Sequence, residues 1–235
     1  MTDATSKSRT ARLAGVLLLA SLFVPAANWV FVLAPLTEGT LTATATAMVT
    51  HAGMWRLAIA TETLMAVYGI ALGLLLYTLV EPVDRTLARV GLLLKVAESV
   101  LVAVIALSTF ATLQMVTHPT ELAADPLHAF AARFLQLHST MYVISMVFLG
   151  LASAVFFGLL YRSRYIPRPL AALGVVAYLL VFGSALVGVL APQYATMRGV
   201  ELIAYLPSIL AEILIGGWLV WRGVDVRPWP RPAPG

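Results

Sequence analysis

The chain has 235 residues, 60% of them apolar and 11% charged, with a mean hydropathy of +0.91. A soluble domain averages about 45–50% apolar and about 25% charged, so the balance is that of a polytopic membrane protein. The net charge of +4 does not indicate nucleic-acid binding, because the basic residues stand beside apolar runs and set topology there; with no cysteine, disulfides, thiolate metal sites and cysteine nucleophiles are excluded.

A bilayer core requires about 20 mostly apolar residues per helix, and six stretches qualify. The first runs from Leu13 to Leu33. Its basic prelude and Val24-Pro25-Ala26 resemble a signal peptide with a small-residue cleavage site, but the run is longer than a secretory h-region and reads as a retained span. A threonine-rich outer loop over Thr37–Thr50 follows, then a second span from Leu57 to Val80 and a short turn, Glu81-Pro82-Val83-Asp84. The third span, Leu87 to Met115, is long and must tilt or protrude. Between His118 and His138 the sequence predicts a short surface helix. Asp125 suits its N-cap and Pro126 its first turn, with Phe130, Phe134 and Leu137 on one face. The fourth span is Ser139–Tyr161, the fifth Leu170–Ala191 and the sixth Leu202–Trp221. The expected organisation is an N-terminal segment 1–12, a six-helix transmembrane domain 13–222 with outer loops 34–56 and 116–138, and a proline-rich tail 223–235 that is extended or disordered.

Orientation follows from the cations of the short connections. One side collects eleven, from Lys7, Arg9 and Arg12 through Arg85, Arg89, Arg162, Arg164 and Arg168 to Arg222, Arg227 and Arg231. The other holds Arg56, Arg133 and Arg198. The positive-inside rule then places both termini in the cytoplasm, and an even helix count agrees. Aromatics mark the interfaces, among them Trp29, Trp55, Tyr142 and Tyr205 outside and Tyr77, Tyr161, Trp218 and Trp221 inside. The block Arg85-Thr86-Leu87-Ala88-Arg89-Val90-Gly91 matches Arg168-Pro169-Leu170-Ala171-Ala172-Leu173-Gly174 at Arg, Leu, Ala and Gly. Duplicated halves occur in transporters; common loop grammar in apolar sequence accounts for the match as well.

Four ionisable residues interrupt the apolar runs: Glu62, Lys95, Glu98 and Glu212. Charge at membrane depth persists where it pairs or faces a cavity. Residues three or four apart share a helix face. On that spacing the sixth span carries a stripe of Glu201, Tyr205, Ser208, Glu212 and Gly216, the second aligns Ala58, Glu62, Ala66, Gly69 and Gly73, and the third aligns Gly91, Lys95, Glu98 and Val102. Ser21, Pro25 and Asn28 align on the first span, and His138, Tyr142 and Ser145 on the fourth. At about 1.5 Å of rise per residue, two groups emerge. A central group comprises Lys95, Glu98 and Glu212, with Ser208, Tyr205 and Asn28 as polar neighbours. An outer group comprises Arg56, Glu62, His138 and Glu201. Each has a structural alternative. Lys95 and Glu98 neutralise each other at i, i+3, or Lys95 snorkels to the surface and leaves two carboxylates to share one proton or counter-ion. Arg56 serves as a headgroup anchor, His138 as an interfacial histidine, and Glu201 as a first-turn acid.

Motifs of known chemistry are missing. There is no HExxH, no intrahelical histidine pair at i, i+4, no GxSxG frame around Gly183-Ser184 and no phosphate-binding glycine loop. The four histidines, His51, His118, His128 and His138, all map to the outer side. These absences weaken the enzyme reading, and no cofactor is indicated. The partners to expect are the lipid bilayer and a small solute, ion or lipid ligand.

Several short blocks in order resemble a bacterial membrane family known as domain of unknown function 4386. They are Arg12-Leu13-Ala14-Gly15, Arg56, Leu76-Tyr77, Glu81-Pro82-Val83-Asp84, Glu98, Arg162-Ser163 with Ile166-Pro167-Arg168, and Glu212 ahead of Trp218-Leu219-Val220-Trp221-Arg222-Gly223. Lys95 and Ala171 depart from the pattern, which has Arg and Gly there; Lys keeps the charge and loses the planar fork. The resemblance implies a six-helix protein of the bacterial inner membrane and carries no activity with it.

Overall fold

The computed structural model describes residues 2–37, 41–118, 124–191, 193 and 198–224, and side chains for most of these. It is 92% helical with no strands among the described residues. In chain order the helices are α1 (Thr2–Asn28), continued by a π-helical turn at Trp29–Leu33, then α2 (Ala34–Thr37), α3 (Leu41–Thr50), α4 (Ala52–Val80), α5 (Arg85–Thr117), α6 (Ala124–Ser163), α7 (Arg168–Leu190) and α8 (Arg198–Trp221). Six segments are long and apolar enough to cross a membrane: Lys7–Thr37, Ala52–Val80, Arg85–Thr117, Thr140–Ser163, Arg168–Leu190 and Leu202–Trp221. The all-α, six-span fold class is therefore as the apolar runs require.

The connections differ from the loops expected. Most of the threonine-rich stretch is helical, in α2 and α3. Threonine hydroxyls there bond back along the helix, Thr37 Oγ1 to the Leu33 carbonyl at 2.8 Å and Thr50 Oγ1 to the Thr46 carbonyl at 3.2 Å. That satisfies each hydroxyl without leaving the helix. The separate surface helix is instead continuous with the fourth span as the 40-residue α6; the side chains of Asp125, Phe130, Phe134 and Leu137 lie outside the described residues. The tail beyond Val224 lies outside them too.

The chain divides into two compact units, each with its own core. The first comprises residues 1–20, 69–98 and 146–235. Its core sets Ala11, Ala14 and Leu18 of α1 among Leu72, Leu76 and Leu79 of α4, Phe156, Phe157 and Leu160 of α6, Ala177 and Val181 of α7, and Ala211, Ile215 and Leu219 of α8. Small residues let backbones meet, which is how helices associate where hydrocarbon offers no hydrophobic drive. A Cβ on Gly15 would stand 2.8 Å from the Gly216 carbonyl oxygen, so α1 and α8 touch backbone to backbone there. The second unit comprises residues 21–68 and 99–145. Its core packs Val32, Leu33 and Leu36 with Met48, Trp55, Ile59, Leu113 and Val116. Trp55 is thus a core residue, 2% exposed, and not the interfacial anchor that its position suggests. Helical folding of α3 brings Met48 into the same cluster.

Asp84 caps α5. Its Oδ1 accepts the Leu87 N–H at 3.0 Å, and its Oδ2 accepts from Arg162 Nη1 at 3.2 Å. The equivalent position before α7 is Pro167, which gives no side-chain cap. The two turns of the sequence repeat are therefore built differently. The Leu87 N–H, and after it the Arg162 guanidinium, hold the Asp84 carboxyl below the usual aspartate range. A depressed folded-state pKa contributes stability above the unfolded aspartate pKa, and that contribution is lost as pH falls through the folded value.

Two outcomes follow. Gly15→Ala forces α1 from α8 and costs about 1–3 kcal/mol, whereas Gly217→Ala, with nothing within 4 Å of the added methyl, costs nothing measurable; denaturant titration of the two variants compares them. Asp84→Asn keeps the cap and removes the acid-side component of the unfolding profile, so its stability falls less than wild type's when pH is lowered from neutral into the aspartate range.

Candidate functional site

In the first unit the buried charged side chains among the described residues are Lys95, Glu98 and Glu212. Lys95 and Glu98 lie one helical turn apart on the inward face of α5, as i, i+3 spacing requires. Lys95 Nζ is 2.8 Å from Glu98 Oε2, with 7% and 12% of the side chains exposed. The approach is close, yet off the hydrogen-bond angle, since the same oxygen has no hydrogen-bond partner. This is the short-reach geometry of a lysine without the planar fork of an arginine. The Lys95 stem is seated on α4: a Cβ at Gly73 would lie 3.0 Å from its Cγ. The second glycine of Gly69-x-x-x-Gly73 thus makes room for a side chain. Lys95 is 5% exposed and does not snorkel; the i, i+3 pairing prevails.

Glu212 sits on the buried face of α8 with Ser208, Ala211 and Ile215. Its Oε1 accepts a hydrogen bond from the Tyr178 hydroxyl of α7. Tyr178 is 2% exposed and its ring packs on Phe157, centroids 5.5 Å apart. The charges of Lys95 and Glu98 also act on Glu212, so α5, α7 and α8 present their polar groups within electrostatic reach of one another. Sequence reasoning missed Tyr178. The available signal was a phenol in the middle of an apolar span, which needs a hydrogen-bond partner once buried.

The other expected neighbours join only in part. Ser208 is buried, with its hydroxyl turned back to the Tyr205 carbonyl at 2.8 Å, which spends it within its own helix. Tyr205 is 40% exposed, so the polar stripe on α8 is not wholly inward: four residues of helix rotate about 400° at 100° each, and the drift carries its bulk off the buried face. Asn28 belongs to the second unit, buried, with Oδ1 lacking a hydrogen-bond partner, at the step from α-helix to the π-turn.

The second unit holds its own carboxylate. Glu62 is 2% exposed. Its Oε1 takes two contacts from α6, His138 Nε2 at 3.1 Å and the Tyr142 hydroxyl at 3.1 Å. The histidine contact requires a proton on Nε2. The two rings meet edge to face at 5.1 Å, as residues four apart on one helix do. Glu62 Oε2 has no hydrogen-bond partner. Arg56 is exposed and stands apart from this group: six residues along a helix turn it through about 600°, off the Glu62 face. The Glu201 side chain lies outside the described residues.

Replacing Glu62 by Ala removes the shared acceptor of His138 and Tyr142 and destabilises by about 1–3 kcal/mol, while Glu62→Gln keeps one acceptor oxygen and costs less. Reversible unfolding in mixed micelles reads the difference, and equal costs would contradict the bonding described.

No curated protein and no solved structure matches the chain. The sequence profile of one family, described as a domain of unknown function (DUF4386), matches residues 13–223, a span that takes in all four buried charges and both of their tyrosine partners. Coverage of nearly the whole length, over all six apolar helices, is decisive: the chain belongs to this family of domain of unknown function 4386.

Proposed function

We propose that this protein binds a proton or a small cation at the Glu98/Glu212 centre and passes it across the membrane. One observation carries the reading: two carboxylates, Glu98 and Glu212, stand within the field of a single ammonium, Lys95, and the hydrogen-bond donor to Glu212 is a neutral phenol. Burying a second carboxylate against one cation is costly. The centre therefore has a place for one more positive charge, which a proton or a cation supplies. The basic bias of the connections supports both termini in the cytoplasm, and the membrane is the bacterial inner membrane.

A second reading takes the charges as interhelical glue of a structural or regulatory subunit. The 2.8 Å Lys95–Glu98 contact favours it, because a neutralised pair needs no ligand. Flux separates the two. In proteoliposomes carrying a pH or cation gradient, wild type shows flux and Glu212→Gln falls to the level of protein-free vesicles. Wild-type flux absent, or unchanged in both Glu212→Gln and Glu98→Gln, sinks the transport reading and leaves the structural one.

A further inference from the structure

We propose that a cavity at the basic end of the first unit binds a phosphate-bearing anion, with an anionic lipid headgroup as the source that its position favours. The cavity measures about 680 Å³ and is walled by the α6–α7 turn and the end of α8, including Arg164, Arg168, Trp218 and Arg222. That volume is in the range of small-molecule sites. Three guanidinium groups thus share one concave surface.

The neighbouring acids are engaged elsewhere. Glu81 pairs with Arg85 at 3.0 Å and Asp84 with Arg162 at 3.2 Å. Among the described residues, Arg164, Arg168 and Arg222 are in no ion pair. Two of them lie over aromatic faces instead. Arg168 is 5.3 Å from the Tyr161 ring centre, and Arg222 is 5.6 and 5.7 Å from those of Trp218 and Trp221. Stacking fixes the plane of a guanidinium and leaves its N–H edge open, which is the edge that binds phosphate oxygens bidentately.

The backbone at this end is also shaped. Arg164 is held in the left-handed region at φ 58°, and Gly223 at φ 70°. The first is unfavourable for a residue with a Cβ. Its turn is held by the Tyr165 N–H, which donates to Ser163 Oγ at 3.3 Å. Position selects the source. Apolar spans end at Ser163 and Trp221 and begin at Arg168, so the cavity lies at the boundary where headgroup phosphates sit. Basic pockets between spans at that level suit anionic headgroups.

The test uses the full chain in nanodiscs of phosphatidylcholine with titrated phosphatidylglycerol, bound lipid being counted by native mass spectrometry. A second arm titrates glycerol phosphate into protein in neutral micelles and follows thermal unfolding. Arg168→Gln/Arg222→Gln should weaken binding about tenfold, the loss of one charge-assisted contact. Arg9→Gln/Arg89→Gln removes the same charge from exposed positions outside the cavity and should change nothing. Saturable binding in the first arm assigns a lipid, and in the second alone a soluble phosphate compound; either supports the site. Binding in neither arm, or equal loss in both double variants, overturns it, since arginines that only set topology behave that way. Should the Gln pair fail to fold, Arg168→Lys/Arg222→Lys serves: it keeps the charge and loses the fork, and binding equal to wild type overturns the proposal.

Discussion

An ammonium in a hydrocarbon layer needs a counter-charge within a few ångströms, and Lys95 has one in Glu98, 2.8 Å away on the next turn of its own helix. Much of the first unit is arranged around that requirement. Gly73 is the seat for the lysine stem, which is why α4 carries a glycine facing α5 where a larger residue would pack more surface. With the stem fixed, the charge cannot swing to the surface. It stays where it acts on Glu212 as well. The buried carboxylate of α8 then takes its direct hydrogen bond from Tyr178, on a ring braced by Phe157. Pairing and possible exchange are thus parts of one arrangement: a strong local pair leaves the second carboxylate under-compensated.

The second unit solves a smaller version of the problem without a cation from Lys or Arg. Glu62 is nearly inaccessible, and His138 and Tyr142 both reach a single oxygen of it. A histidine as donor makes this contact conditional on its proton, which a lysine would not. The exposed Arg56 plays no part in it.

The six spans, the inward faces of α4 and α5 and the Lys95–Glu98 spacing were legible in the sequence, because length, hydropathy and helical period are local properties. The alignment of Ala58, Glu62, Ala66, Gly69 and Gly73 is buried throughout. What escaped depends on which helix meets which. Tyr178 lies on a span with no charge of its own and gains its role from a residue 34 positions away. Trp55 reads as a membrane-surface tryptophan until α3 folds and Met48 packs in its cluster. The threonine-rich stretch reads as loop because threonine is a weak helix former; hydroxyls bonded to the preceding turn let it stay helical. Tyr205 followed the polar stripe by spacing and left it by geometry, since the helical period is not a whole number of residues.

A double-mutant cycle on Lys95→Met and Glu98→Gln tests the buried pair most directly, because methionine keeps the stem on Gly73 and removes only the charge. Unfolding free energies in lipid–detergent micelles should fall by about 3 kcal/mol for either single change, since each leaves a buried charge alone. The double variant should recover most of that loss, with a coupling of about 2 kcal/mol or more. Additive costs would mean that Lys95 and Glu98 do not depend on each other, and the account of this centre would fall.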